Sequence, residues 1–174
     1  MSYSQISEEV KARVRTQAKN QCGYCRSLQK YVLGMLEIEH IIPKTRGGSD
    51  REDNLWLACR LCNNFKAAQT HGKDPETGLE VKLFNPRHQQ WSEHFAWTDD
   101  GINIVGKTAC DRGTVVALRL NNTYAVMVRQ AWVSVGWHPP EGKKRSLPVP
   151  SLPSRSSCLR GSINQSDRTP NSQL

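Results

Sequence analysis

Long hydrophobic runs are missing from this chain of 174 residues. It has no stretch of 18 apolar residues, and its first thirty residues hold no apolar signal-like segment, which disfavours a membrane protein and a secreted precursor. Aromatic residues make up only 7% and form no evident base-stacking stripe. No internal repeat stands out beyond two cysteine pairs. We therefore expect one ordinary domain in the cytoplasm, without a membrane partner and with its oligomeric state open.

Cysteine is the residue type whose spacing is most informative. Four of the six cysteines form two Cys-x-x-Cys pairs, which are Cys22, Cys25, Cys59 and Cys62. In a reducing compartment such pairs favour metal thiolates over disulfides. A redox role for one pair is the alternative, but neither pair lies in a thioredoxin-like strand–helix context. Four thiolates complete a tetrahedral zinc site with no open position, so the sequence predicts a structural Zn²⁺.

The charge balance is basic, at +8 overall. Residues 141–174 contribute about half of this excess, with six Lys and Arg against two acidic residues. A positive balance favours a polyanion partner such as nucleic acid.

The first half of the chain alternates between helical and strand patterns. Residues 6–20 read as a helix that Ser7 can cap. The pattern then predicts a strand over 36–42, a polar loop over 44–53 and a returning strand over 54–58. A helix over 61–68 follows, so the predicted order is strand, long loop, strand, helix.

The second half is less regular. Residues 71–78 read as a turn-rich connector, and the Asp-Asp-Gly turn at 99–101 predicts one or two short strands around it. Helices are expected over 114–120 and 124–135. From residue 140 onward Pro, Ser, Arg, Gly and Asn dominate, which is typical of a disordered tail.

The dipeptide Glu39-His40 suggests chemistry beyond the thiols. Hydrolysis of a phosphodiester needs a base to activate water and a cation to neutralise charge, and a neutral imidazole can act as the base. Neighbouring residues of an ideal strand face opposite ways, so the backbone must twist if both side chains serve one site.

The segment 22–66 contains Glu-His-Ile-Ile-Pro at 39–43, Gly-Gly at 47–48, Asn-Leu at 54–55 and Cys-x-x-Cys-Asn-x-x-Lys at 59–66. With these motifs in this order, it resembles the HNH endonucleases, the ββα-metal nucleases. The first cysteine pair matches the zinc-bound members of that family. Residues 85–139 more loosely resemble the C-terminal extension of bacterial, notably cyanobacterial-type, HNH proteins.

The resemblance implies a role for each matched residue. His40 falls at the general base, Asn54 at the residue that braces the loop, and Asn63 at a ligand of a catalytic Mg²⁺ or Mn²⁺. Glu39 falls where many members place an aspartate as the other metal ligand. Glutamate is one methylene longer, so the position or preference of the metal could differ.

Other readings of these residues stay open. His40 could be structural, and Asn63 could simply cap the helix after Cys62. Several cations could contact phosphates or could form a solvated basic face; they are Lys44, Arg46, Arg60 and Lys66.

The sequence as a whole predicts an α+β protein with a zinc-stapled ββα-metal core. We expect an HNH nuclease core at 1–70, a small strand-and-helix extension at 71–139 and a disordered basic tail at 140–174. The expected function is metal-dependent hydrolysis of DNA phosphodiester bonds. A non-catalytic zinc-dependent DNA-binding module is the main alternative, and an adaptor that binds protein through 80–138 is the second.

Overall fold

The structure is a computed structural model, and it describes residues 6–140. This part of the chain contains five α-helices and three two-stranded antiparallel sheets. The mixture of helices and small antiparallel sheets confirms the predicted α+β class. The predicted tail lies outside the described residues, apart from Pro140.

Helix α1 spans Glu8–Gln17 and lies within the predicted range. It begins after Ser7, whose hydroxyl accepts a hydrogen bond from the backbone N–H of Val10 at 3.4 Å. Two glutamates occupy the first turn, where the positive end of the helix dipole stabilises them. The helix packs through the buried Val14 side chain and leads directly to the first cysteine pair.

Strands β1 (Glu37–His40) and β2 (Leu55–Ala58) form an antiparallel hairpin around a long loop. In the register, Glu37 lies opposite Ala58 and His40 opposite Leu55. Helix α2 (Arg60–Lys66) follows directly after β2. Cys59 is its N-cap, and the Cys59 thiol accepts a hydrogen bond from the backbone N–H of Cys62. The predicted order of strand, loop, strand and helix is therefore present.

The loop between β1 and β2 closes on itself through Asn54. The side-chain oxygen of Asn54 accepts from Ile42 N at 2.8 Å, and its amide donates to the carbonyls of Ile42 and Ser49, each at 2.9 Å. Gly48 lies so close to Ile42 that a Cβ atom there would overlap the Ile42 carbonyl. These contacts hold the loop in a single path at the end of β1.

The remainder of the described chain is built of two more hairpins and three helices. The elements are β3 (His71–Lys73), β4 (Glu80–Lys82), α3 (Trp91–His94), β5 (Phe95–Trp97), β6 (Ile104–Gly106), α4 (Ala109–Ala117) and α5 (Thr123–Ser134). The turn at 99–101 connects β5 and β6, as predicted. The hairpin of β3 and β4 was not predicted, and α4 begins five residues before the predicted helix.

One hydrophobic cluster connects the first cysteine pair with the later elements. Tyr24 and the buried thiols pack with Phe84, Trp91 and Phe95. The indole N–H of Trp91 donates to the carbonyl of Tyr24 at 2.8 Å. The core therefore continues across residue 70, where the sequence predicts a domain boundary.

Across residues 6–140, no helix combines the length and the apolar character needed to cross a membrane.

Candidate active site and thiol cluster

The four paired cysteines converge on one point, as predicted. Their sulfur atoms all lie within 4.8 Å of one another, and the sulfurs of Cys25 and Cys59 are 3.6 Å apart. Zinc–sulfur bonds of about 2.3 Å in a tetrahedron put neighbouring sulfurs about 3.8 Å apart. The donor set and the spacing both fit a structural zinc ion.

The close packing of the four thiols shifts their pKa values in different directions. Hydrogen bonds from neighbouring thiols, that of Cys22 first, lower the pKa of Cys25 well below its usual value. Burial raises the pKa of Cys22, and the hydrogen bond with Cys22 raises that of Cys62. A bound cation favours the thiolate form of every ligand, so it would remove this conflict.

His40 is the last residue of β1, and its ring faces the long loop. Its Nε2 lies 2.8 Å from Oδ1 of Asp50, whose second oxygen lies 2.6 Å from the ammonium of Lys44. The side chain of His40 is 22% exposed, so water can reach it. Sequence reasoning did not single out Asp50, because nothing in a Gly-Gly-Ser-Asp turn indicates which side chain it will meet.

Glu39 faces the interior of the protein. One carboxylate oxygen, Oε1, accepts from the Tyr24 hydroxyl at 3.0 Å and pairs with the Lys66 ammonium at 2.9 Å. Burial raises the pKa of Glu39, and the charge of Lys66 opposes that shift. The other oxygen, Oε2, is buried and has no hydrogen-bond partner among the described residues.

Lys66 corrects one prediction. Its side chain is 2% exposed, and its ammonium also donates to the carbonyl of His40 at 2.9 Å. A phosphate on the protein surface cannot reach this group, so Lys66 does not belong with the predicted phosphate contacts. The position gives it another role, because it neutralises Glu39 and ties α2 to the end of β1.

Asn63 points from α2 toward β1. Its side-chain nitrogen donates to Oε2 of Glu37 at 2.7 Å. The side-chain oxygen of Asn63 is therefore the atom of this amide that is left to bind a metal ion. Cys59 caps α2, so the alternative in which Asn63 caps this helix is wrong. Glu37 is a second acidic neighbour that the sequence analysis did not select.

Glu39, His40 and Asn63 line one cavity of about 360 Å³. Lys44 lies at its wall, and Arg46 is exposed on the same short turn. Both residues belong to the lining of this cavity, although Glu39 is buried and His40 is partly exposed. Arg60, in contrast, lines a different groove beside the thiol cluster.

The cavity offers a donor set suited to a hard divalent cation. Mg²⁺ prefers carboxylate and amide oxygens and retains several waters, so it needs few protein ligands. Glu39 Oε2 is a buried oxygen without a partner in the described part of the chain, and Asn63, which lines the same cavity, has an amide oxygen. Both are oxygen donors of the kind that hard divalent cations prefer.

Comparison with known proteins agrees with the ββα arrangement. Residues 22–69 match the family model described as HNH endonuclease. The match contains both cysteine pairs, the β1–β2 hairpin and α2.

A curated relative extends the similarity beyond this segment. The Septu protein PtuB of Bacillus mycoides (strain KBAB4) is 29% identical over 120 residues, covering 55% of this chain and 40% of the relative. The chain thus spans well under half the length of that relative. No solved structure matches the chain.

Proposed function

We propose that this protein is an endonuclease that hydrolyses DNA phosphodiester bonds, with His40 as the general base and one divalent metal held by Glu39 and Asn63. One observation carries the proposal. These three residues line a single cavity, and one buried carboxylate oxygen of Glu39 has no partner within residues 6–140. A structural role alone gives no reason to leave that oxygen unpaired, because an unpaired buried acceptor destabilises the fold.

The reaction follows from the chemistry of these groups. The neutral imidazole of His40 accepts a proton from water, and the hydroxide attacks phosphorus in line with the 3′ oxygen. The P–O3′ bond breaks, and the departing oxygen takes a proton from solvent. A bound Mg²⁺ or Mn²⁺ supplies the positive charge that stabilises the phosphorane and the leaving oxygen.

The other residues serve this centre indirectly. Asn54 braces the loop beside His40 through three hydrogen bonds. Lys44 and Arg46 are exposed near the cavity and can neutralise DNA phosphates. Arg60 remains a proposed phosphate contact outside the cavity. A structural Zn²⁺ on the four cysteines would hold α2, and with it Asn63, against the rest of the core.

A plasmid-nicking assay tests the proposal. The purified protein is incubated with supercoiled DNA and Mg²⁺, Mn²⁺ or EDTA, beside His40→Ala and the control variant His88→Ala, whose side chain is exposed. Loss of a general base lowers the rate by about 10²–10⁴-fold, so His40→Ala is expected to lose nicking while His88→Ala retains it. Metal analysis of the same sample is expected to give about one zinc per chain.

The outcomes separate the proposal from its alternatives. Equal nicking by wild type and His40→Ala would show that His40 is not the base. Binding of DNA without nicking under any metal would support the non-catalytic DNA-binding module. Failure to bind DNA even at low salt, where electrostatic binding is strongest, would favour the adaptor.

A further inference from the structure

The loop that connects β1 and β2 returns an acidic side chain to His40. Asp50 Oδ1 lies 2.8 Å from His40 Nε2, and the two side chains are 14% and 22% exposed. Contacts at this distance between partly buried groups are hydrogen bonds with a defined direction. His40 lines the cavity that also contains Glu39 and Asn63, and Asp50 contacts it from the neighbouring loop.

The chemistry of the pair fixes which ring nitrogen carries the proton. An ionised carboxylate only accepts hydrogen bonds, so His40 must hold its proton on Nε2 to make this contact. Its other nitrogen, Nδ1, then has a lone pair that can take a proton from water. Lys44 contacts the second oxygen of Asp50 at 2.6 Å, which favours the ionised form of that carboxylate.

The surrounding loop restrains the carboxylate. The side-chain amide of Asn54 donates to the carbonyl of Ser49, the residue before Asp50, at 2.9 Å. The same amide donates to the carbonyl of Ile42, two residues after His40. Asn54 thus holds together the two backbone segments that flank the pair, one next to Asp50 and one two residues after His40.

We propose that Asp50 is a positioning residue that holds His40 in the Nε2-protonated tautomer, with Nδ1 as the atom that receives the proton of the attacking water. This inference rests on the proposed function, since it gives His40 its task. Asp50 acts through His40 and does not touch the reacting atoms. Lys44 has a second role here, because it anchors the carboxylate as well as lying near the DNA.

The first test measures nicking by Asp50→Asn, in which the charge is lost and the new amide can donate to Nε2. That contact favours the tautomer with its proton on Nδ1. We expect kcat to fall by about 10²–10⁴-fold, as for loss of a well-placed base, with KM little changed. The matched control is Asp53→Asn on the same loop, whose side chain is 59% exposed and pairs with Arg51; it is expected to retain wild-type kcat.

A second measurement separates positioning from a general structural effect. In the background of His40→Ala, the substitution Asp50→Asn should cause less than about a twofold further loss, because residues acting as a unit are not additive. If Asp50→Asn lowers kcat by the same factor in the His40→Ala background as in the wild type, the proposal is overturned. Unchanged binding of Mn²⁺ to Asp50→Asn, measured by calorimetry, would exclude damage to the metal ligands.

A third measurement does not depend on cleavage at all. Nitrogen-15 NMR of His40 in the zinc-loaded protein without Mg²⁺, at a pH where the ring is neutral, reports the tautomer directly. Wild type and Asp53→Asn should show the proton on Nε2, and Asp50→Asn should show a large rise of the Nδ1-protonated form. The same tautomer in all three proteins would overturn the proposal. If wild type shows the expected tautomer but cuts no DNA, the proposed function fails while the positioning stands.

Discussion

At the scale of single residues, the ion pair of Lys66 and Glu39 is costly to disturb, because both charges are buried. Both side chains are 2% exposed, and Tyr24 donates to the same carboxylate oxygen that Lys66 contacts. Burial and the charge of Glu39 raise the pKa of Tyr24, so its hydroxyl keeps its proton and remains a donor. This cluster joins the first cysteine pair, β1 and α2 at one point.

Removal of the Lys66 charge should therefore destabilise the fold. Lys66→Met keeps most of the side-chain volume but leaves Glu39 buried without its cation. Breaking a buried pair in this way costs about 3–5 kcal/mol. Urea unfolding without added divalent metal measures the loss, and Lys82→Met on the exposed face of β4 is the control. A loss below about 1 kcal/mol for Lys66→Met would show that Glu39 is solvated or neutral.

The residue scale also shows what sequence could not reveal about the site. His40, Asn54 and Asn63 could be selected because their types and order follow a motif. Asp50 and Glu37 could not, because their partners are set by the path of the loop and by the register of β1. Lys66 was assigned to the surface because lysine is seldom buried, and only the structure shows the carboxylate that makes its burial possible.

At the scale of elements, the loop between β1 and β2 decides where His40 points. Its two glycines differ in what they contribute. Gly47 adopts a left-handed backbone with φ of 83° and has open space where a side chain would be, whereas Gly48 lies against the Ile42 carbonyl. Substitutions at these neighbours separate backbone strain from steric displacement of the loop.

Gly48→Ala should lower both stability and cleavage. The added methyl group overlaps Ile42 and must push away the segment that carries Asp50, at a cost of about 1–3 kcal/mol. Gly47→Ala strains the backbone alone, by about 1–2 kcal/mol, and should retain nicking at a temperature where it is folded. Unfolding and plasmid assays on both variants check this. Equal retention of nicking would mean that the loop position does not control His40.

Element types were predicted better than element boundaries. Strand β1 follows an alternating apolar pattern and helix α2 has a helical composition, and each lies within two residues of its expected bounds. The β3–β4 hairpin was missed because its short strands are polar and largely exposed, with no apolar alternation. The early start of α4 follows from a capping box of Thr108 and Asp111, a spacing that the sequence does contain.

At the scale of the whole molecule, a buried histidine connects stability to pH. His138 packs edge-on against Trp97, with ring centroids 4.3 Å apart, and its Nε2 has no hydrogen-bond partner in the described range. Burial first, and then the charge of Arg129, lower the pKa of His138 to about 4. The folded protein therefore binds fewer protons at this ring than the unfolded chain between about pH 4 and 6.5.

Stability should fall with acidification through that window. The contribution of His138 is complete above about pH 6.5 and is lost as the pH falls toward 4, by about 3 kcal/mol at most. The free energy of urea unfolding between pH 4 and 7 measures the slope. His138→Phe should flatten it, whereas His88→Gln, at an exposed site, should not. An unchanged slope in His138→Phe would assign the acid sensitivity to other groups.

Helix α2 has a final consequence for how this chain can vary in length. Within seven residues it carries a thiol, an amide and a buried ammonium, at Cys62, Asn63 and Lys66. An α-helix turns by about 100° per residue, so one inserted residue after Cys62 would rotate the amide out of the cavity and the ammonium away from Glu39. Insertions are better accommodated in the exposed turn at 75–79, which contacts none of these groups.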